Sequence, residues 1–304
     1  MPAIPHTDLT VHQLCLGGNV FGWTADRGES FAVLDAYAAA GGNFVDTADL
    51  YAGGESEKIV GAWMAERGNH DDIVVATKMG MKEGSDNLRA DTIRSQAEAS
   101  LTSLGTDHID LYYAHQDDED TPVAETLGAY QRLIEAGKVR AIGASNLDAA
   151  QLAEALRVAG TEGLPRYQVL QPGYNLVDRG DLEGPLLELC RAEGLGVITY
   201  FSLAKGFLSG KYRSNDDLGK SQRGGAVSRY LTPRGFAILG ALDLVAARHG
   251  ATPAEVALAW VIAQPGVTAP IASATSLDQL ASLVRATSLA LDPDDLAALA
   301  AASA

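Results

Sequence analysis

The sequence predicts an α/β protein of one domain, a (β/α)8 or TIM barrel, and three observations lead there. From Gln13 onward, short apolar runs alternate with longer amphipathic segments eight times, at the spacing of strand–helix units. The rival doubly wound sheet would carry G-x-G-x-x-G after its first strand, but that strand ends Gly17-Gly18-Asn19-Val20-Phe21-Gly22, and no P-loop pattern occurs either. No linker, low-complexity tract or long charge run divides the 304 residues.

Leu14 to Gly18 reads as the first strand, and Glu29 to Ala40 as a helix stopped by Gly41 and Gly42. The second strand, Asn43 to Val45, leads through a glycine turn to an acidic helix start at Glu55, and that helix runs to Glu66 before Gly68. Ile73 to Thr77 is the third strand, Thr92 to Leu104 its helix, and Ile109 to Ala114 the fourth strand. Pro122 suits a first helical turn, where its missing amide has no partner to lose, and the helix extends to Ala136. Val139 to Gly143 is the fifth strand, after which the Asp148 carboxylate can cap the next helix. Tyr167 to Leu170 and Gly196 to Thr199 are the sixth and seventh strands, separated by a helix around Leu182 to Ala192. The eighth, Val267 to Ile271, follows a long insertion and a helix from Pro253 to Ala263. Asp278 to Thr287 is the last barrel helix, and Pro293 opens a short C-terminal one. The stretch 201–233, rich in Gly, Ser, Lys and Arg, reads as one long irregular loop, and loops of that length are uncommon and mostly functional.

With 47% hydrophobic and 20% charged residues the chain can bury a large core, and Trp63 and Trp260 sit at core spacing on their helices. A formal net charge of −16 argues against nucleic acid and anionic membrane surfaces as partners. Cys15 and Cys190 lie among apolar neighbours and read as two reduced, buried thiols, which suits a cytoplasmic setting. The first residues lack the basic and apolar segments of a signal peptide, and no apolar run reaches the length of a membrane span. His6, His12, His70, His108 and His249 show no metal-ligand spacing, so no metal site is expected. The run Asp117-Asp118-Glu119-Asp120 reads as a solvated loop.

Asp46 and Tyr51 follow the second strand, Lys78 ends the third and His115 ends the fourth. Singly, each has an ordinary explanation: a cap, a packed aromatic, a snorkelling lysine, a solvated histidine. Parallel neighbouring strands would bring all four to one rim, where they read as a catalytic set. A free tyrosine loses its proton only near pH 10, and an adjacent ammonium is expected to bring that value down. Tyr51 is then the general acid, Lys78 its activator, Asp46 the group that orients Lys78, and His115 the residue that holds a carbonyl oxygen. Reducing that carbonyl also needs a hydride, which no side chain supplies, so a cofactor is required.

These residues, with the context Asn43-Phe44-Val45-Asp46-Thr47-Ala48, resemble the aldo-keto reductase family, and the resemblance runs over nearly the whole chain. It implies NAD(P)H-dependent reduction of an aldehyde or ketone to an alcohol. It also implies a cofactor lying against Gly18, Asn19 and Val20, with Ser145 and Asn146 on the nicotinamide carboxamide, Gln171 behind the ring and Tyr200 stacked upon it. Phe201, Ser202, Leu203, Gly206 and Leu208 would belong to a covering loop. Lys211 would face the pyrophosphate, Arg223 the adenosine phosphate, and Ser273, Thr275 and Gln279 would complete the adenosine end. Phe21, Trp23, Met79 and Gln116 are the candidates for the substrate side.

The chain departs from the family pattern in places. Phe201-Ser202 stands where Ser-Pro often follows the stacking aromatic, and Ser282-Leu283 where a Glu-Asn pair is common. Thr275 occupies the position at which many members place Arg or Lys against the adenosine 2′-phosphate. NADP(H) is therefore the expected cofactor and NAD(H) its alternative. Two other roles suit the same residues: an NAD-dependent dehydrogenase oxidising a sugar lactol, and a cofactor-binding regulatory subunit similar to the β subunits of potassium channels. The expected partner is a small carbonyl compound or sugar, and oligomeric state is left open.

Overall fold

A computed structural model, in which residues 1–222 and 224–304 are described, shows eight parallel strands closed in sequence order, with the last pairing back onto the first. They are β1 (Cys15–Gly17), β2 (Phe44–Asp46), β3 (Val74–Met79), β4 (Ile109–Ala114), β5 (Val139–Ser145), β6 (Val169–Gln171), β7 (Gly196–Thr199) and β8 (Ala269–Ala272). Around them run α1 (Arg27–Ala39), α2 (Glu55–Arg67), α3 (Ala90–Leu104), α4 (Val123–Glu135), α5 (Ala149–Glu162) and α6 (Pro185–Ala192). A short α7 (Gly224–Val227), α8 (Pro233–His249) and α9 (Pro253–Ile262) follow β7, and α10 (Leu277–Ala286) and α11 (Pro293–Ala302) follow β8. Among the described residues, no helix is long and apolar enough to cross a membrane.

The strands are near-continuous apolar runs because both of their faces are covered. Alternate residues turn inward, so Cys15, Phe44, Val74, Ala76, Leu111, Tyr113, Ala141, Val169, Ile198 and Ala269 fill the barrel. Their neighbours, among them Leu16, Val45, Val75, Tyr112, Ile142 and Leu170, pack outward against the helices together with Trp63 and Trp260. Tyr113 reaches across to β5, where a Cβ on Gly143 would lie 2.4 Å from its ring; only glycine lets it fit. Ile4, Leu9 and Val11, on a segment folded back through the Ala3–Thr10 bridge, join this inner cluster and close the N-terminal end of the barrel.

Register sets the height of the polar rim. Asp46 is level with Gly17 of β1 and Ala76 of β3, and Lys78 stands two residues further along, beside Tyr113. The expected strands and helices recur with shifted ends, with one exception. Residues 201–222 and 224–232 hold 3₁₀ turns at Ala204–Ser209, Asn215–Lys220 and Ser228–Tyr230 with the short α7, and α8 then runs for 17 residues where no helix was expected. Thr232 caps it, Pro233 takes its first turn, and Ile238, Leu239, Leu242 and Val245 bury its inner face.

Candidate active site

The rim is built from short, tightly braced connections. After β2 the chain makes a 3₁₀ turn, Tyr51–Gly54, in which Ala52, Gly53 and Gly54 all have positive φ, and this reversal brings Tyr51 back over the barrel mouth before α2 begins. Ser56 Oγ donates to the Gly18 carbonyl at 2.8 Å and meets Thr47 Oγ1 at 2.7 Å, while the Gly18 amide donates to the Asp46 carbonyl at 2.7 Å. The ends of β1 and β2 are thereby tied to the start of α2.

Lys78 is wholly buried. Its ammonium donates to Asp46 Oδ1 at 2.5 Å, to the Thr47 carbonyl at 2.7 Å and to Tyr51 Oη at 3.3 Å. Asp46 Oδ2 accepts from Gln171 Nε2 at 2.8 Å, so both carboxylate oxygens are occupied. Burial opposes the charge on Lys78, but Asp46 and Tyr51 outweigh it and hold the ammonium above its ordinary value. Burial likewise raises the Asp46 carboxyl, against the opposing pull of Lys78 and the Gln171 amide.

Tyr51 departs from expectation. Burial dominates and keeps its phenol above the ordinary tyrosine value, with Lys78 offsetting only part of the shift. His115 goes the other way: burial first, and the nearby Lys78 charge second, push it down to about 3, so the ring is neutral at physiological pH. Its ring lies edge-on to Tyr51, 6.1 Å between centroids, and its carbonyl accepts from Asn146 Nδ2 at 2.8 Å.

Above these groups opens a cavity of about 1200 Å³ lined by Asp46, Tyr51, His115, Ser145, Asn146, Gln171 and Tyr200, with Asn19, Val20 and Ser273 beside them. Phe201, Ser202, Leu203, Gly206 and Lys211 line it from the loop after β7, and Thr275 and Gln279 from the segment after β8. Several expected residues stand elsewhere. Met79 turns outward, as it must one residue after an inward lysine, and it and Phe21 are enclosed in the layer between barrel and helices. Leu208 is buried in that same layer, Gly18 serves the brace just described, and Trp23 is 53% exposed away from the lining. Arg223 lies outside the described residues. Of the expected substrate-side residues, Gln116 reaches the cavity, and its amide donates to the Gly80 carbonyl at 2.9 Å.

Thr24, Leu50, Met81, Lys205 and Lys220 also line the cavity and were not expected. Met81 lies beyond the end of β3 at Met79, where the two-residue period of the strand no longer gives a direction. Lys205 and Lys220 sat in a stretch with no periodicity from which to read a direction.

The β7 side is held by its own contacts. Phe201, Ala204 and Lys205 have φ values of 52, 48 and 57°, a left-handed backbone that costs on the order of 1 kcal/mol or more per residue outside glycine. Arg213 clips the loop to the Gly210 carbonyl at 2.7 Å and to Asp243 of α8, and Lys220 bonds Asp217 and the Lys211 carbonyl. At the far end Ser273 Oγ donates to Asn19 Oδ1 at 2.7 Å, and Gln279 Oε1 accepts from the amide and hydroxyl of Thr275. Pockets that hold a drug-sized ligand measure roughly 300–1,000 Å³, so this cavity is larger than one such ligand requires. Its donor set of neutral amides, one open aromatic face and lysines fits a nicotinamide nucleotide. Among the described residues, no group of three or more His, Cys, Asp or Glu side chains is placed to hold a metal.

Residues 13–304 match the aldo/keto reductase family. Among curated relatives, the chain is 33% identical to norsolorinic acid reductase stcV of Emericella nidulans, over 96% of this chain and 78% of that protein. It is 33% identical to the uncharacterized oxidoreductase YrpG of Bacillus subtilis, over 95% and 91%, and 32% identical to protein tas of Escherichia coli, over 98% and 96%. The chain belongs to the aldo/keto reductase family, and with it to the NAD(P)-dependent oxidoreductases.

Proposed function

We propose that this aldo/keto reductase reduces an aldehyde or ketone to an alcohol, with Tyr51 as general acid, His115 aligning the carbonyl, and Lys78 and Asp46 stabilising the charge that Tyr51 leaves behind. The observation that carries this reading is the buried ammonium of Lys78, bonded at once to Asp46 and Tyr51 beneath the cavity that His115 lines. A bound reduced nicotinamide supplies hydride to the carbonyl carbon. Ser145, Asn146, Gln171 and Tyr200 would hold its ring end, and Asn19, Lys211, Ser273, Thr275 and Gln279 the rest.

The side chains then divide the remaining work. His115, neutral at working pH, offers one ring N–H to the carbonyl oxygen without adding a charge. Tyr51 keeps its proton throughout the neutral range, which is the form a reductase needs. As the alkoxide develops, the phenol proton passes to it, and the phenolate that remains lies against Lys78. Lys78 thus acts mainly on the charge that forms during the reaction, and less on the resting pKa. Asp46 and the Thr47 carbonyl keep the ammonium from reorienting at that moment.

Tyr51→Phe tests the assignment. Turnover should fall by about a hundredfold to ten-thousandfold, the usual contribution of a general acid, while quenching of intrinsic fluorescence by added nicotinamide nucleotide persists. Full carbonyl reduction by that variant would sink the reading.

For the nucleotide, Lys211 and Lys220 in the lining favour NADP(H). A second reading, NAD(H) and with it a lactol dehydrogenase, is favoured by the Asp278 carboxylate that lines the cavity beside Thr275, whose hydroxyl is already given to Gln279. Titrating NADPH and NADH separately by fluorescence distinguishes the two.

A further inference from the structure

Tyr200 is expected to serve as a flat surface for the nicotinamide, yet its hydroxyl is also engaged. Tyr200 Oη donates to Asn146 Oδ1 at 2.7 Å, and the other end of the same amide donates from Nδ2 to the His115 carbonyl at 2.8 Å. Asn146 is itself held in a left-handed conformation, φ 60°, at the end of β5. On its other side the Tyr200 ring rests on the backbone at Gly173: a Cβ there would lie 3.3 Å from Cε2 and Cζ of the ring. Backbone bonds from Tyr200 N to the Pro172 carbonyl, and from Tyr174 N to the Tyr200 carbonyl, fix the strand that carries it. The ring is thus supported from behind, pinned at its tip and open towards the cavity.

We propose that the Tyr200 hydroxyl and the Asn146 amide form a positioning pair that sets the aromatic face and the amide oxygen in fixed register before any ligand arrives. The proposal rests on the reading that a nicotinamide nucleotide occupies this cavity. With Nδ2 committed to the His115 carbonyl and Tyr200 Oη on one lone pair of Oδ1, the second lone pair of Oδ1 is the part of the amide left to accept from a ligand. A carboxamide NH₂ on a ring stacked against Tyr200 is the matching donor. The pair therefore prepares the stacking contact and the carboxamide contact together, and ties both to the backbone of His115. Preorganisation of this kind raises affinity by removing side-chain freedom that binding would otherwise have to remove.

The test uses Tyr200→Phe, which keeps the ring and removes only the hydroxyl. Affinity is measured for NADP⁺ and for 2′-phospho-ADP-ribose, which lacks the nicotinamide, in the wild type, Tyr200→Phe, Asn146→Ala and the double variant. The expected result is a Kd for NADP⁺ raised by about three- to tenfold in Tyr200→Phe, the range for one neutral hydrogen bond, with 2′-phospho-ADP-ribose unchanged. The two substitutions should also be non-additive, the double variant binding about as weakly as Asn146→Ala alone. An NADP⁺ affinity in Tyr200→Phe within twofold of wild type overturns the pair, as does equal weakening of both ligands, which marks a general structural effect. Should the wild type bind 2′-phospho-ADP-ribose but gain nothing from the nicotinamide, the underlying reading of the cavity fails, and the pair fails with it.

Discussion

The two halves of the rim are built on opposite terms. From β2 to β4, Asp46, Lys78 and His115 are buried and Tyr51 half-buried, and Lys78, with three partners, cannot move without abandoning a charge on Asp46. From β7 to β8 the cavity wall is a loop with Phe201 42% exposed, three non-glycine residues in left-handed backbone, and lysines whose ammonium groups lie near the surface. The first half is enclosed around its charges; the second, beyond the fixed Tyr200, presents exposed side chains to the cavity. Chemistry that develops charge needs partners already oriented, because reorientation during the reaction would add to the barrier. Binding a long polyanion needs reach, and reach comes from exposed, flexible side chains.

The contrast can be broken most severely at Lys78. Lys78→Met should abolish turnover and lower the unfolding free energy by about 3–5 kcal/mol, because Asp46 is left charged and buried without its partner. Urea unfolding should then show most of that loss restored by adding Asp46→Asn, with no return of activity. If Lys78→Met alone unfolds like the wild type, the β2 to β4 side is not the locked structure described. On the opposite side, Lys211→Ala should raise the cofactor Kd by about tenfold, the range for one charged contact, with kcat changed less than twofold. That loss should shrink as salt is added, which an isothermal titration at two ionic strengths would reveal.

A smaller effect sharpens the comparison by pH. The folded His115 titrates near 3 against an ordinary value of about 6.5, so the unfolded chain takes up this proton first. The stability contributed by the neutral ring is full above that ordinary value and declines as pH falls towards 3. Between pH 5 and 8, kcat/KM should show no step that His115→Asn removes; such a step near 6.5 would mean the ring is wetter than its burial implies. Smallest is the expectation for the outer layer. Burial opposes the charge on Asp295, yet bonds from Arg248 and His249 of α8 and from the Asp292 amide hold its carboxyl down at about 2. Its contribution, about 2 kcal/mol at 1.36 kcal/mol per pKa unit, is present above roughly pH 4 and lost as pH falls through about 2. Asp295→Asn should lower Tm at pH 7 and converge with the wild type in acid.

The barrel was legible because its signals are local. A parallel strand covered on both faces is an apolar run, and its end is marked by the first residue that must meet solvent or a ligand, as at Asp46, Lys78 and His115. Facing is harder. Phe21 and Met79 follow strand residues of the rim closely in sequence, but the period of two sends Met79 outward, opposite Lys78. Helix α8 was missed although Thr232-Pro233 signals a start and Gly250 a stop; Gly235 and Gly240 inside it, and the polar loop before it, masked the apolar spacing from Ile238 to Val245. The raised phenol of Tyr51 was beyond reach for a different reason. A neighbouring cation can be named from sequence, but burial is a sum over the whole fold. The same holds for the Tyr200–Asn146 bond, which joins β7 to β5 across β6.

With Tyr113, Ile4, Leu9 and Val11 packed beneath Asp46, Lys78 and Tyr51, the described residues leave the cavity mouth as the way to and from Tyr51. A room with a single door imposes a queue. On the function proposed above, a nucleotide held along the β7 and β8 side should enter first and leave last, with the carbonyl compound and the alcohol exchanged in front of it. The two oxidation states of the nucleotide should then compete with each other for the free protein, while the alcohol, released first, should not compete with the nucleotide.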